Sequence, residues 1–253
     1  MDVNNIAVAI TGGASGLGAG VAGLLASKGA KVGILDLNAD LGEALAKETG
    51  GTFARCDVAD EASAIAALDA LEAKNGTARV LINCAGIGPA SRIVGRDGPH
   101  SLTAFERVIR VNLIGTFNMM RLAAHRMQAL DPLADGERGV IISTASVAAF
   151  EGQIGQAAYA ASKGGIVAMT LPAAREFAKV GIRVLTIAPG LFKTPLMNEL
   201  PEEVQQSLGA SIPFPSRLGT AEDFARMAAS MIEMNYLNGE VVRLDGALRM
   251  QPK

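Results

Sequence analysis

Apolar residues in this chain fall into short runs separated by longer segments in which apolar positions recur at helical spacing. Residues 6–10, 31–35, 52–56, 79–82, 140–143 and 181–187 form such runs, mostly rich in Val, Ile and Leu. Runs of this length, bounded by turn residues, read as strands buried on both faces. Between them, 19–28, 61–74, 101–127 and 157–178 are alanine-rich or amphipathic and long enough for helices. The alternation predicts an α/β fold: a doubly wound, Rossmann-type parallel sheet with right-handed crossovers and helices on both faces. Ligands of such sheets bind beyond the C-terminal strand ends. Asp36, Asp57, Asn83, Ser146 and Pro189 all fall at those ends.

Composition narrows this picture. Length alone would accommodate two domains, but the 253 residues hold no linker, repeat or low-complexity tract, so one domain over 1–253 is expected. Net charge is −2 and no basic run stands out, which gives no footprint for nucleic acid or an anionic membrane surface. No apolar run approaches the ~18 residues of a membrane span, and the start of the chain lacks signal-peptide character. A soluble protein with a small-molecule partner is expected, in the cytoplasm or alternatively the mitochondrial matrix. Cys56 and Cys84, each near a strand end, are expected to be buried free thiols. His100 and His125 lack Cys or carboxylate partners at ligand spacing, so no metal site is expected.

Two stretches carry candidate chemistry. After the first strand comes Thr11-Gly-Gly-Ala-Ser-Gly-Leu-Gly18, then a helix. Glycines there allow positive φ and close approach of backbone to a pyrophosphate, while the helix N-terminus offers free N–H groups. The second strand ends in Asp36, placed to accept hydrogen bonds from ribose hydroxyls and to repel a 2′-phosphate. Leu37 follows, and the turn holds no Arg or Lys, so NAD is preferred over NADP. Asp57 is either a turn or cap residue or a partner of the adenine amino group, with Val58 on the ring. Small residues at Asn83-Cys84-Ala85-Gly86 would let backbone pass close to the cofactor ribose.

In the other stretch, Tyr159 and Lys163 stand four apart on one predicted helix and face the same way. An ammonium near a phenol favours the phenolate, so the lysine is expected to lower the tyrosine pKa and make it a usable acid/base. Ser146 lies just past the 140–143 strand, where its hydroxyl can hydrogen-bond a substrate oxygen. Together the three indicate chemistry at a carbonyl or carbinol. Asn112, in an otherwise apolar stretch, is either a satisfied core amide or part of a relay beside Lys163.

With these residues in place, the chain resembles the short-chain dehydrogenase/reductase family from residue 11 to 245. The Thr-Gly-x-x-x-Gly-x-Gly turn is Thr11, Gly12, Gly16 and Gly18; Asn-x-Ala-Gly is Asn83 to Gly86; Pro189-Gly190 and Thr194 match the nicotinamide-side segment. The resemblance implies catalytic roles for Asn112, Ser146, Tyr159 and Lys163. It implies an NAD site drawn from Gly12, Ser15, Gly16, Leu17, Gly18, Asp36, Asp57, Val58, Asn83, Cys84, Ala85, Gly86, Tyr159, Lys163, Pro189, Gly190, Phe192 and Thr194. Cys84 departs from the pattern, since many members carry a second asparagine there. Thr-Ala-Ser-Val-Ala-Ala-Phe-Glu-Gly from Thr144 and Pro-Phe-Pro-Ser-Arg-Leu-Gly from Pro213 are similar to the type 2 3-hydroxyacyl-CoA dehydrogenase subfamily. That likeness implies an acyl-CoA thioester substrate, with a hydroxysteroid or other secondary alcohol as the alternative and a non-catalytic scaffold as the less favoured one. It also implies a homotetramer with 236–250 at an interface. Residues 190–216 are apolar enough to cover an acyl chain or to pack on the core. Arg92, Arg96 and Lys193 either approach the coenzyme A phosphates or are simply solvated.

Overall fold

The computed structural model describes residues 1–194, 197 and 201–252. Seven parallel strands form one sheet in the order β3-β2-β1-β4-β7-β8-β9. They are β1 (Ala7–Thr11), β2 (Lys31–Asp36), β3 (Thr52–Arg55), β4 (Val80–Asn83), β7 (Gly139–Thr144), β8 (Ile182–Pro189) and β9 (Val241–Leu244). The fold class is the one the sequence pattern predicts. Strand alternation supplies both faces. Val8 and Ile10, Val80 and Ile82, and Val140 and Ile142 enter one core with α1 (Gly16–Ser27) and α9 (Ala221–Glu233). Ala9, Leu81 and Ile141 enter the other with α3 (Glu61–Asn75) and α5 (Gly115–Met127). Small residues let the layers close: a Cβ on Gly20 of α1 would lie 2.6 Å from the Ala221 Cβ of α9.

Four strands run beyond their predicted ends, through Thr11, Asn83, Thr144 and Pro189. Pairing explains the extension: Thr11 is in register with Asn83, Asn83 with Ser143, and Pro189 with Leu244, so neighbouring strands hold polar residues that local propensity would leave in a loop. The hairpin β5 (Val94–Gly95) and β6 (Gly98–Pro99) stands outside the sheet.

The single helix expected over 101–127 is interrupted. α4 (Leu102–Ile109) leads into a π turn, Arg110–Ile114, before α5 begins, and the Gly115 N–H donates to the Arg110 carbonyl. Asn112 lies in this wide turn, a feature that often marks a functional position.

Candidate active site

The glycine turn works by close approach. Gly12 has φ +62°, and a Cβ there would lie 2.7 Å from the Ala85 nitrogen; one on Gly18 would lie 2.2 Å from the Gly12 oxygen. The Ala85 N–H donates to Thr11 Oγ1 (3.3 Å), tying the turn to the Asn83–Gly86 segment. At the start of α1, Ser15 is exposed, makes no side-chain cap, and no acidic residue occupies the first turn. Asp36 accepts the Ala14 N–H on Oδ2 (3.1 Å) and the Asn38 N–H on Oδ1 (3.0 Å), which fixes its carboxylate beside the turn. Leu37 beside it is exposed. A backbone cradle, an uncapped helix N-terminus and a fixed acid fit a dinucleotide with free ribose hydroxyls.

Asp57 and Val58 are held by other bonds. Asp57 Oδ1 accepts the Ala59 N–H (2.9 Å), and the Val58 carbonyl accepts Asn118 Nδ2 (2.9 Å). Val58 packs against Gly115, where a Cβ would lie 2.5 Å from its Cγ2. Asn83 is buried, donating weakly to Ser143 Oγ (3.4 Å), and its Oδ1 has no partner among the described residues.

The catalytic candidates converge on α7 (Ala157–Ala178) and the end of β7. Lys163 is 4% exposed and donates through Nζ to the Thr144 carbonyl (2.7 Å). Its Nζ is 5.7 Å from the Tyr159 ring centroid. Ser146 faces the Tyr159 phenol closely enough to favour its ionised form, and its Oγ accepts the Ala148 N–H (3.1 Å).

The expected electrostatics need correction. Burial pushes the Tyr159 pKa up, opposed by the Ser146 hydroxyl, and burial pushes the Lys163 pKa down to about 8. The ammonium donates to the Thr144 carbonyl, and burial of the phenol outweighs the lowering expected for Tyr159.

Asn112 is a satisfied amide. Its Oδ1 accepts the Ile87 N–H (2.8 Å), and Nδ2 donates to the Ile87 carbonyl (2.8 Å) and Ser162 Oγ (3.0 Å). It clips the Gly86 segment to α7. Ile87, Ser162 and Thr144 went unnoticed in the sequence, because backbone acceptors and a common serine carry no motif.

Other candidates move. Phe192 is a core residue, 6% exposed and edge-on to Phe224, so its side chain takes the core-packing alternative. Ile212, in the same 190–216 segment, is also buried, whereas Val204 and Phe214 are exposed. Leu196 and Leu200 lie outside the described residues. Gly190 sits against Asp245, and the Pro189 carbonyl accepts the Val147 N–H (3.0 Å). Thr194 Oγ1 accepts the Met197 N–H (3.4 Å). Both cysteines are free, but Cys84 is only partly buried, correcting the expectation for it. Burial pushes the Cys56 thiol up to about 12 and that of Cys84 up to about 11, which keeps both protonated at neutral pH. Arg92, Arg96 and Lys193 are all exposed. Arg92 lines a groove of about 460 Å³ with Ile93, Gln153 and Ala160, a lining that does not include Tyr159, whereas Arg96 is at the hairpin tip.

A family model described as short chain dehydrogenase matches residues 6–205. The chain is 54% identical over 254 residues to a 3-hydroxyacyl-CoA dehydrogenase type-2 of Bos taurus, covering 99% of this chain and 97% of that one. It is 32% identical over 244 residues to a 3-oxoacyl-(acyl-carrier-protein) reductase of Rattus norvegicus, covering 96% and 97%. The crystal structure of 3-hydroxyacyl-CoA dehydrogenase type-2 from Mycobacterium avium matches with a TM-score of 0.94 at 45% identity, with 98% of each chain covered.

Proposed function

Since the chain belongs to the short chain dehydrogenase family, we propose that it is an NAD-dependent oxidoreductase interconverting a 3-hydroxyacyl-CoA and the corresponding 3-ketoacyl-CoA. The observation that carries the chemistry is the convergence of Ser146, Tyr159 and Lys163, with Lys163 one helical turn behind the tyrosine and its Nζ 5.7 Å from the ring centroid. Bound along Gly12–Gly18, Asp36 and Asn83–Gly86, the nicotinamide cofactor would supply the hydride acceptor. Tyr159 Oη takes the proton from the substrate hydroxyl, and Ser146 Oγ holds that oxygen in place. Lys163, anchored on Thr144, offers its remaining N–H groups to the cofactor ribose, and Asn112 keeps the wall at Gly86 in position.

The thioester assignment is supported by relatives named for 3-hydroxyacyl-CoA and for 3-oxoacyl-carrier substrates, which share a 3-oxygenated acyl thioester. The loop that starts at Gly88, where a Cβ would lie 3.5 Å from the Tyr159 ring, carries Ile93 and Arg92 into a groove apolar at the first and cationic at the second, which suits such a ligand. A homotetramer is supported by a groove of about 700 Å³ between α5 and α7, flanked by half-exposed Phe117 and by Pro172, and by fully exposed Tyr236. Two free thiols fit a reducing compartment such as the cytoplasm.

The test is kcat/KM for acetoacetyl-CoA reduction beside a CoA-free acetoacetate ester and a steroid ketone. The thioester is expected to be the best substrate, and Arg92→Ala to raise KM for it alone. Equal values for thioester and free ester would remove the CoA assignment while leaving the oxidoreductase chemistry intact.

A further inference from the structure

We propose that residues 245–252 form a positioning strap, in which the Arg243–Glu151 ion pair holds the segment between Ser146 and Tyr159 in register for the reaction. Glu151 ends α6 (Ala148–Glu151), a single turn of helix between the two catalytic candidates. One turn has no stability of its own in water, so its order must come from tertiary contacts.

The C-terminal hook supplies them. Arg243 on β9 forks onto Glu151, NH1 to Oε1 (2.7 Å) and NH2 to Oε2 (3.2 Å), and its guanidinium lies 5.5 Å from the Phe150 ring centroid. The same guanidinium donates to Asp245 Oδ2 (2.7 Å) and the Leu248 carbonyl (3.0 Å), which curls the chain back. Glu151 Oε2 then accepts the Met250 N–H (2.9 Å). Beyond it, the Gln251 carbonyl accepts Gln153 Nε2 (2.9 Å), and the Pro252 carbonyl accepts the Ile154 N–H (3.0 Å). On its other side the hook meets the base of the cover: the Gly246 carbonyl accepts the Phe214 N–H (3.2 Å), and Gly246 packs on Ile212. Glu151 and Arg243 are each 23% exposed, and Arg243 holds the Glu151 carboxyl below the usual carboxylate range. A forked pair joined by backbone bonds on both sides is a more rigid tie than a lone surface pair. Arg243 and Glu151 are therefore positioning residues that act through the placement of Ser146 against Tyr159.

The inference rests on the oxidoreductase reading of that pair. The experiment compares full-length Glu151→Gln and Arg243→Lys with the unmodified protein, using acetoacetyl-CoA and the CoA-free ester. It measures kcat, KM, NADH affinity by fluorescence, the pH profile of alcohol oxidation and Tm. Glu151→Gln is expected to lower kcat about ten-fold or more on both substrates, with NADH affinity unchanged. The oxidation profile should move to higher pH, because a displaced Ser146 no longer lowers the Tyr159 pKa. Arg243→Lys keeps the charge but loses the fork, so it should fall between the two; it also decides the matter if Glu151→Gln does not fold. A lower Tm with unchanged kcat and pH profile would reduce the strap to a structural tie, and a change in KM alone would move its role to substrate binding. The variant-to-unmodified ratio judges the strap even if the CoA moiety gives no advantage, because the ester reports it equally.

Discussion

Asp36 does two things at once: it pins the glycine turn through Ala14 and presents its remaining lone pairs beyond the strand end. Asp36→Ala is therefore expected to cut kcat/KM with NAD about ten-fold or more, the scale of a hydrogen bond to a charged group, and to narrow the preference over NADP. Parallel kinetics with both cofactors check this, and an unmodified protein that uses them equally would remove Asp36 from that role. Lys163 makes a different prediction. Its folded pKa, about 8, lies below the ordinary value of 10.5, so the unfolded chain binds more protons between these pH values, and stability rises with pH across that window. At neutral pH the buried ammonium costs on the order of 3 kcal/mol, offset in part by the Thr144 bond. Lys163→Met should be inactive yet at least as stable at pH 7, with any stability gain shrinking as pH rises through the window; denaturant titrations at several pH values measure this. The pairing of Tyr159 with Lys163 was legible from their spacing. The direction of the tyrosine shift was not, since it depends on how deeply the phenol is buried in the fold.

At the scale of elements, period and run length gave the strands, but the interruption at Asn112 was hidden. A π turn leaves no mark in apolar spacing and is set here by a side chain that reaches across to Ile87. Asn112→Ala would leave the Ile87 N–H and carbonyl unpaired, and a loss of about 1–3 kcal/mol is expected together with a lower kcat. Thermal unfolding with parallel kinetics tests both, and an unchanged Tm would show that the clip is dispensable. Edge strand β9 was also missed, because four uniformly half-buried residues carry little signal apart from the β8 pairing that defines them. Which alternative Phe192 takes was hidden for a related reason: an apolar residue next to a cofactor segment reads equally as wall or core until its packing on Phe224 is known.

For the whole molecule, the parallel sheet brings residues from five separate strand ends to one edge, which is why widely spaced motifs form one site. The flanking helices leave apolar surface outward between α5 and α7. Light scattering is expected to give a mass about four times the 26.0 kDa of the chain, and a monomer would contradict the association. The central claim, that Tyr159 moves the proton at the substrate oxygen, is tested most directly by Tyr159→Phe, with NADH binding followed by fluorescence and turnover of acetoacetyl-CoA measured on the same sample. The predicted result is unchanged NADH affinity with kcat lowered about 10²–10⁴-fold, the range of general acid–base catalysis. A folded, NADH-binding Tyr159→Phe protein that turns over near the unmodified rate would contradict it.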